Sequence, residues 1–147
     1  MAGAGRYLLF MSTDAPALRL LPAGECLQRL KSVPVGRIAY TKNALPAVEP
    51  VKFALDGQHI VIRLDPGSAL ATALHHTVVA FEADCMDYAH HRGWSVTIVG
   101  NAHEVVDPQE ISELQKTGLQ SWAAADDGYF FRILPGIVTG QEMLDAM

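Results

Sequence analysis

The sequence predicts a mainly β (α+β) domain, a six-stranded antiparallel β-barrel with a few short helices packed on it. Three observations carry that expectation. The stretch from Gly93 to Ala102 alternates, with Trp94, Val96 and Ile98 on one parity and Ser95, Thr97 and Asn101 on the other, a polar parity that Val99 breaks. Such a period of two, built from aromatic and β-branched residues, belongs to a strand with one face in a core. Several further short apolar runs are separated by turn chemistry, and only three stretches carry helix signals.

Taken in order, residues 1–21 read as a lead-in segment and 22–147 as one domain. Pro22 to Lys31 reads as a short helix, with Glu25 near its start and Lys31 at its end, as the helix dipole prefers. Leu27 and Leu30 are its expected buried stripe, and Pro34 stops it by disfavouring helix at Val33. Strands are expected at about 35–41, 47–55 and 59–64, with turns at Asn43–Pro46 and Asp56–Gly57. Gly67 to about Leu74 reads as a helical crossover, followed by strands at 77–83 and 94–106 around a polar loop at 85–92. Asp107-Pro108-Gln109-Glu110 opens a helix to about Lys116, with Asp as cap and Pro at the first position. Tyr129–Leu134 is the last expected strand, and Pro135-Gly136 lead into a tail.

A chain of 147 residues has room for one buried core. Half of it is hydrophobic and 18% is charged, which excludes a disordered chain; a large subunit interface or an unusually apolar core would explain so few charges. A net charge of −5 with scattered Lys and Arg argues against nucleic acid as a partner. The apolar run Tyr7–Met11 is shorter than the roughly 7–15 residues of a signal-peptide core, and no run approaches the ~18 of a membrane span. Cys26 and Cys85 form no CxxC and read as free thiols in a reducing, cytoplasmic compartment.

Between Arg63 and Ala71 a cation at a strand end, the turn Pro66-Gly67 and the N-cap candidate Ser68 come together. Free amides at a helix start, a hydroxyl and a guanidinium would suit a phosphate. Spacing alone favours the plainer reading, a capped helix with a surface arginine.

Glu49-Pro50-Val51-Lys52-Phe53, Arg63…Pro66-Gly67-Ser68-Ala69-Leu70 and Gly93-Trp94-Ser95-Val96 occur in an order that resembles the flavin-binding split barrels related to pyridoxamine-phosphate oxidase. The likeness runs from about Glu25 to Gly140 and includes Val35-Gly36-Arg37-Ile38-Ala39 and Phe131-Arg132-Ile133-Leu134-Pro135. It implies a six-stranded antiparallel split β-barrel that forms a homodimer with two equivalent sites at the subunit interface. It also implies that Arg63 and Ser68 hold the phosphate of FMN, while Pro50, Val51, Lys52, Phe53, Trp94, Ser95 and Val96 lie along the isoalloxazine ring. There the side chains of Trp94, Val96 and Ile98 would fill the barrel and Ser95 and Thr97 would face the cofactor groove.

The chain departs from the family pattern at several positions. Leu64 stands where a threonine is usual, Ala69 where a lysine is usual, Lys52 where asparagine is frequent, and Gln141 where arginine commonly follows the final glycine. Each lost charge-assisted hydrogen bond is worth about 1.5–3 kcal/mol, so FMN affinity should be weakened unless Lys52 restores some of the charge.

Other constellations carry less. His75-His76 and His90-His91 are adjacent pairs that cannot converge on one metal ion, and no zinc-type ligand spacing accompanies Cys85. Haem, which some split barrels bind, ranks last. No GxSxG elbow is present, and Asp126-Asp127 beside Gly128 reads as a solvated loop. Nitroimidazole-resistance members of the superfamily use a histidine where Arg63 stands, so that activity is not carried over. Trp122 and Tyr129 suit either a partner subunit's wall against a flavin or core packing, with equal weight.

The expected function is therefore FMN binding in an oxidoreductase acting on a small molecule. It needs no catalytic side chain, because the flavin N5 accepts or donates hydride. The alternatives are a non-enzymatic flavin-binding or sensor protein and a deazaflavin-dependent reductase.

Overall fold

A computed structural model describes residues 17–123 and 127–144. The strands are β1 (Ala17–Leu20), β2 (Val35–Lys42), β3 (Leu45–Asp56), β4 (His59–Leu64), β5 (Thr77–Asp87), β6 (Arg92–Glu104), β7 (Tyr129–Ile133) and β8 (Ile137–Leu144). The helices are α1 (Ala23–Leu30), α2 (Ala69–Ala73) and α3 (Pro108–Gln115). Neighbours in the sheet run β1-β8-β6-β5-β2-β3-β4-β7, and a further β6–β7 pairing joins the ends of six of them. The result is the expected closed six-stranded antiparallel barrel, β2 to β7, with β8 and β1 added outside.

Two segments differ from the sequence reading. Part of the lead-in is the strand β1, paired with β8 from Ala17↔Leu144 to Leu20↔Gln141; residues 1–16 lie outside the described residues. The expected tail after Gly136 is β8, paired with β6 from Arg92↔Leu144 to Val99↔Ile137. Both strands lie on the rim of a finished barrel, so neither needs the strong apolar alternation that marks a core strand.

β6 is where the sheet divides. Its first half pairs with β8, and Ala102–Glu104 pair with β7. The chain crosses from β7 to β8 directly over Gly100, with Leu134 N–H donating to the Asn101 carbonyl and Gly136 N–H to that of Val99. A Cβ on Gly100 would stand 1.6 Å from the Leu134 carbonyl oxygen, so only glycine lets the two backbones approach.

The barrel is filled by Ile38, Ile60, Ile62, Phe81, Val96, Ile98, Phe131 and Ile133, all essentially inaccessible. Leu70 and Leu74 of the α2 segment and Cys26 and Leu30 of α1 close it. The stripe of α1 is thus Cys26 and Leu30, with Leu27 only partly buried against it. A second, smaller core joins Val61, Val105, Leu114, Leu119 and Phe130 beneath α3. The expected caps form: Ser68 Oγ accepts from Ala71 N–H, and the Asp107 carboxylate from Gln109 N–H. Arg19, Glu25, Arg29 and Glu142 form an ion-pair chain tying β1, α1 and β8.

Candidate functional site

The side chains of β3 alternate, and only their outer parity can reach a ligand. Val51 and Phe53 point into the barrel, where Phe53 meets Phe81 edge-on with ring centroids 4.8 Å apart. Pro50 and Lys52 face outward. There the indole N–H of Trp122 donates to the Pro50 carbonyl at 2.8 Å, and the Lys52 ammonium lies 5.1 Å from the centre of the same ring. Trp122 stays 54% exposed and Tyr129 48%, so neither is a core residue. A half-exposed indole held by its N–H, with a cation against it, is a stacking surface.

The segment that ends β4 joins this corner through residues 119–123 and 127–128. Arg63 sits on the parity of Val61, outside the barrel, with its guanidinium 4.6 Å from the Phe130 ring centre. Its Nε donates to the Gly128 carbonyl at 3.1 Å and Nη1 to that of Leu119 at 3.3 Å. It also borders a cavity of about 290 Å³ with Glu104, Gln115, Asp127 and Tyr129. Two residues on, Asp65 accepts a short hydrogen bond from Ser121, the neighbour of Trp122. Arg63 and the Ser68 turn are therefore tied to the loop that carries Trp122. Asp127 of the expected solvated pair is exposed, and Asp126 lies outside the described residues.

Trp94, Ser95 and Val96 stand elsewhere on the sheet. Trp94 and Val96 are buried, as their parity demanded, and Trp94 borders a polar cavity of about 310 Å³ with Arg29, Cys85, Asp87, Arg92 and Glu142. Ser95 and Thr97 open outward onto a groove of about 400 Å³. Leu20, Leu21 and Val138 supply its apolar surface; Ser95, Thr97, Thr139 and Gln141 supply polar groups. Thr139, Gln141, Leu20 and Leu21 were not legible as site residues because they sit on or beside the two unrecognised strands. The β-branched run Ile137-Val138-Thr139 was the available signal.

Strand register relates the two parts. Pro50, Arg37, Glu82, Thr97 and Thr139 are successive Cα partners across β3, β2, β5, β6 and β8. Three strand intervals, about 15 Å, separate Pro50 from Thr97 on one outer face. The adjacent row on that face is Val48, Ala39, Ala80, Val99 and Ile137, apolar from end to end. Val48 and Ile137 are 63% and 60% exposed, and Val78 nearby on β5 is 63% exposed. Val99, the residue that broke the polar parity of β6 in the sequence, belongs to this row.

Between the two parts stands a charged trio. Arg37 Nη1 lies 3.2 Å from a Glu82 carboxylate oxygen and 3.3 Å from one of Asp84. Burial, then the Asp84 carboxylate, pushes the Glu82 carboxyl up to about 7, against the opposing pull of Arg37. Both free thiols are accounted for: Cys26 is buried, which raises its pKa, and Cys85 is exposed. Among the described residues, no group of three or more His, Cys, Asp or Glu side chains is placed to hold a metal ion, and no helix is long and apolar enough to cross a membrane.

Comparison with known proteins matches residues 22–141 to the family model described as pyridoxamine 5'-phosphate oxidase. An uncharacterised protein of Mycobacterium tuberculosis, Rv0080, is 34% identical over 125 residues, covering 82% of each chain. Among solved structures, an FAD-binding protein from Mycobacterium smegmatis is 32% identical with a TM-score of 0.74, covering 85% of this chain and 98% of its own. An FAD-binding protein from Mesorhizobium loti is 26% identical with a TM-score of 0.73, covering 88% and 99%.

Proposed function

The chain belongs to the pyridoxamine 5'-phosphate oxidase family, and on that premise we propose that it is a flavin-dependent oxidoreductase, with FMN as the cofactor. In this reading it is a cytoplasmic homodimer, carries two sites at the subunit interface and acts on a small molecule. The observation that carries the proposal is the divided site on one outer face: a Trp122–Lys52 stacking corner and a hydroxyl-lined groove, flanked by an unbroken apolar row.

The residues fit a flavin. A groove of about 400 Å³ lies within the range of about 300–1,000 Å³ usual for cofactor sites, and its mixture of leucine, valine and hydroxyl side chains suits a flat ring with a polar edge. Lys52, Arg63 and the Ser68 turn would hold the phosphate, and the outward backbone of Pro50–Phe53 would lie along the ring. A second copy laid over the apolar row would bring the Lys52–Trp122 corner of one chain toward the Ser95–Thr97 groove of the other. When bound, the flavin supplies two-electron hydride transfer, so the chain needs no nucleophile of its own. The protein's part is to bind, orient and exclude water: Trp122 and the leucines cover apolar surface, while Ser95, Thr97 and Gln141 offer hydrogen bonds at the polar edge.

A second reading, FAD in place of FMN, is favoured by a specific observation. The M. smegmatis and M. loti relatives are FAD-binding proteins, and Leu64 and Ala69 remove two contacts expected for a lone FMN phosphate. The test is an absorbance spectrum of the purified protein followed by titration with FMN and FAD. Flavin bands or saturable micromolar binding support the proposal, and the tighter ligand decides between its two forms. A colourless protein that binds neither overturns the flavin reading; a flavoprotein that no nicotinamide or small oxidant turns over is a non-enzymatic binder.

A further inference from the structure

The apolar row on the outer face is bordered on one side by more negative charge than positive. Glu82 and Asp84 share one guanidinium, that of Arg37, and their side chains are already about 32% and 28% exposed before anything covers them. Around them on the same face stand Val35, Val48, Val78 and Met86, all substantially exposed. The charged groups facing Glu82 are Asp84 on its own strand and Arg37 on β2. On β6 its register partner is Thr97, which does not titrate, and Lys52 stands beyond β2 on β3.

Covering this face forces a choice on the trio. One carboxylate and one guanidinium form a neutral pair that can be buried at modest cost, but the second carboxylate would be an unpaired charge taken out of water. The penalty disappears if that carboxylate carries a proton, which it can then donate to its neighbour. Glu82 titrates near neutrality already in the single chain, for the physical reasons given above. A lipid surface is a poor occupant, since two carboxylates would meet anionic headgroups. A second copy suits the face because it presents both signs of charge and an apolar strip, each complementary to itself under a two-fold axis.

We propose that two copies of this chain associate through the outer face of β2, β3, β5, β6 and β8, and that association takes up a proton on the Arg37–Glu82–Asp84 trio of each chain, so that acid favours the dimer and alkali loosens it. This rests on the homodimer reading above and adds to it a proton as the controlling ligand. With one proton per chain, two per dimer, the dissociation constant rises as pH rises, by up to about 100-fold per unit above the titration of the free chain.

Sedimentation equilibrium on the full chain, at about pH 6 and about pH 8.5 in one buffer series of constant ionic strength, tests this. The dissociation constant should rise at least about tenfold between the two. In Glu82→Gln it should stay near its acid value at both. Asp84→Asn, which leaves one carboxylate for one guanidinium, should flatten the dependence as well and serves if the first variant does not fold. A wild-type dimer whose affinity ignores pH, or variants that keep the full dependence, overturn the proton linkage while leaving the dimer standing. A chain that is monomeric at every pH and concentration overturns the dimer reading itself.

Discussion

Trp122 donates its indole N–H to the main-chain carbonyl of Pro50 at 2.8 Å, fixing a loop residue onto β3 across a separation of 72 in sequence. The bond orients the ring whose face meets Lys52. Trp122→Phe keeps an aromatic face and loses the bond. At about 1 kcal/mol for one hydrogen bond, flavin affinity should fall about fivefold, and Trp122→Ala should lose more. Isothermal titration with the tighter flavin checks this; equal affinity in all three proteins would remove Trp122 from the site.

Arg63 is the strut of the same loop. Its guanidinium donates to the carbonyls of Leu119 and Gly128 while stacked on Phe130. Arg63→Ala should cut flavin affinity at least about tenfold and cost about 1–3 kcal/mol of stability, because both the positive charge and the loop's anchorage go. Arg63→Lys separates the two roles, since lysine keeps the charge but not the planar fork. Affinity retained in Arg63→Lys would mean that charge alone matters there; affinity lost together with stability would mean that the anchorage of the loop matters.

Ala69 is the exposed first residue of α2, just after the Ser68 cap. A lysine there meets no steric obstacle and restores the cation usual in the family. Ala69→Lys should tighten flavin binding by about tenfold, the worth of one charge-assisted hydrogen bond of about 1.5 kcal/mol. No change on titration would show that the 66–70 turn does not face the phosphate.

Much of the barrel was legible because its strands alternate. The parity of Gly93–Ala102 assigned Trp94, Val96 and Ile98 to the core and Ser95 and Thr97 to the opposite, polar face, and the structure agrees. Caps and turns were legible for the same local reason: Ser68, Asp107 and the positive-φ pair Asn43–Ala44 act within a few residues of themselves. β1 and β8 were not, because rim strands bury little and depend on partners distant in sequence. The candidate site was less legible: Trp122 meets Pro50 and Lys52, Ser121 meets Asp65, and Leu119 and Gly128 meet Arg63, and no local pattern announces contacts between residues so distant in sequence.

Gly100 shows a residue whose type was visible and whose reason was not. Its Cβ position is occupied by the Leu134 carbonyl, 1.6 Å away, where the chain crosses between β7 and β8. Because the obstacle is backbone on both sides, Gly100→Ala should cost about 3 kcal/mol or more and part β8 from β6. A melting temperature unchanged by the substitution would mean that the crossing is looser than it stands here.

His103 sits opposite Arg132 in the β6–β7 pairing. Burial first, then the charges of His76, Arg132 and His59, hold its pKa below the ordinary value near 6.5, with Glu110 pulling the other way. The unfolded chain therefore takes up this proton at a higher pH than the folded one. The stability His103 contributes by staying neutral is complete above about pH 6.5 and is lost as pH falls through its lower folded value. Glu82 works in the opposite sense, its raised pKa stabilising the fold as pH drops through about 7. The measurement must accordingly compare two proteins rather than two buffers. Calorimetric melting of wild type and His103→Gln from about pH 7.5 to about pH 5 should show a shallower acid loss in the variant. Parallel curves would mean that the proton on His103 costs the folded state nothing, and that the cluster around Arg132 accommodates it.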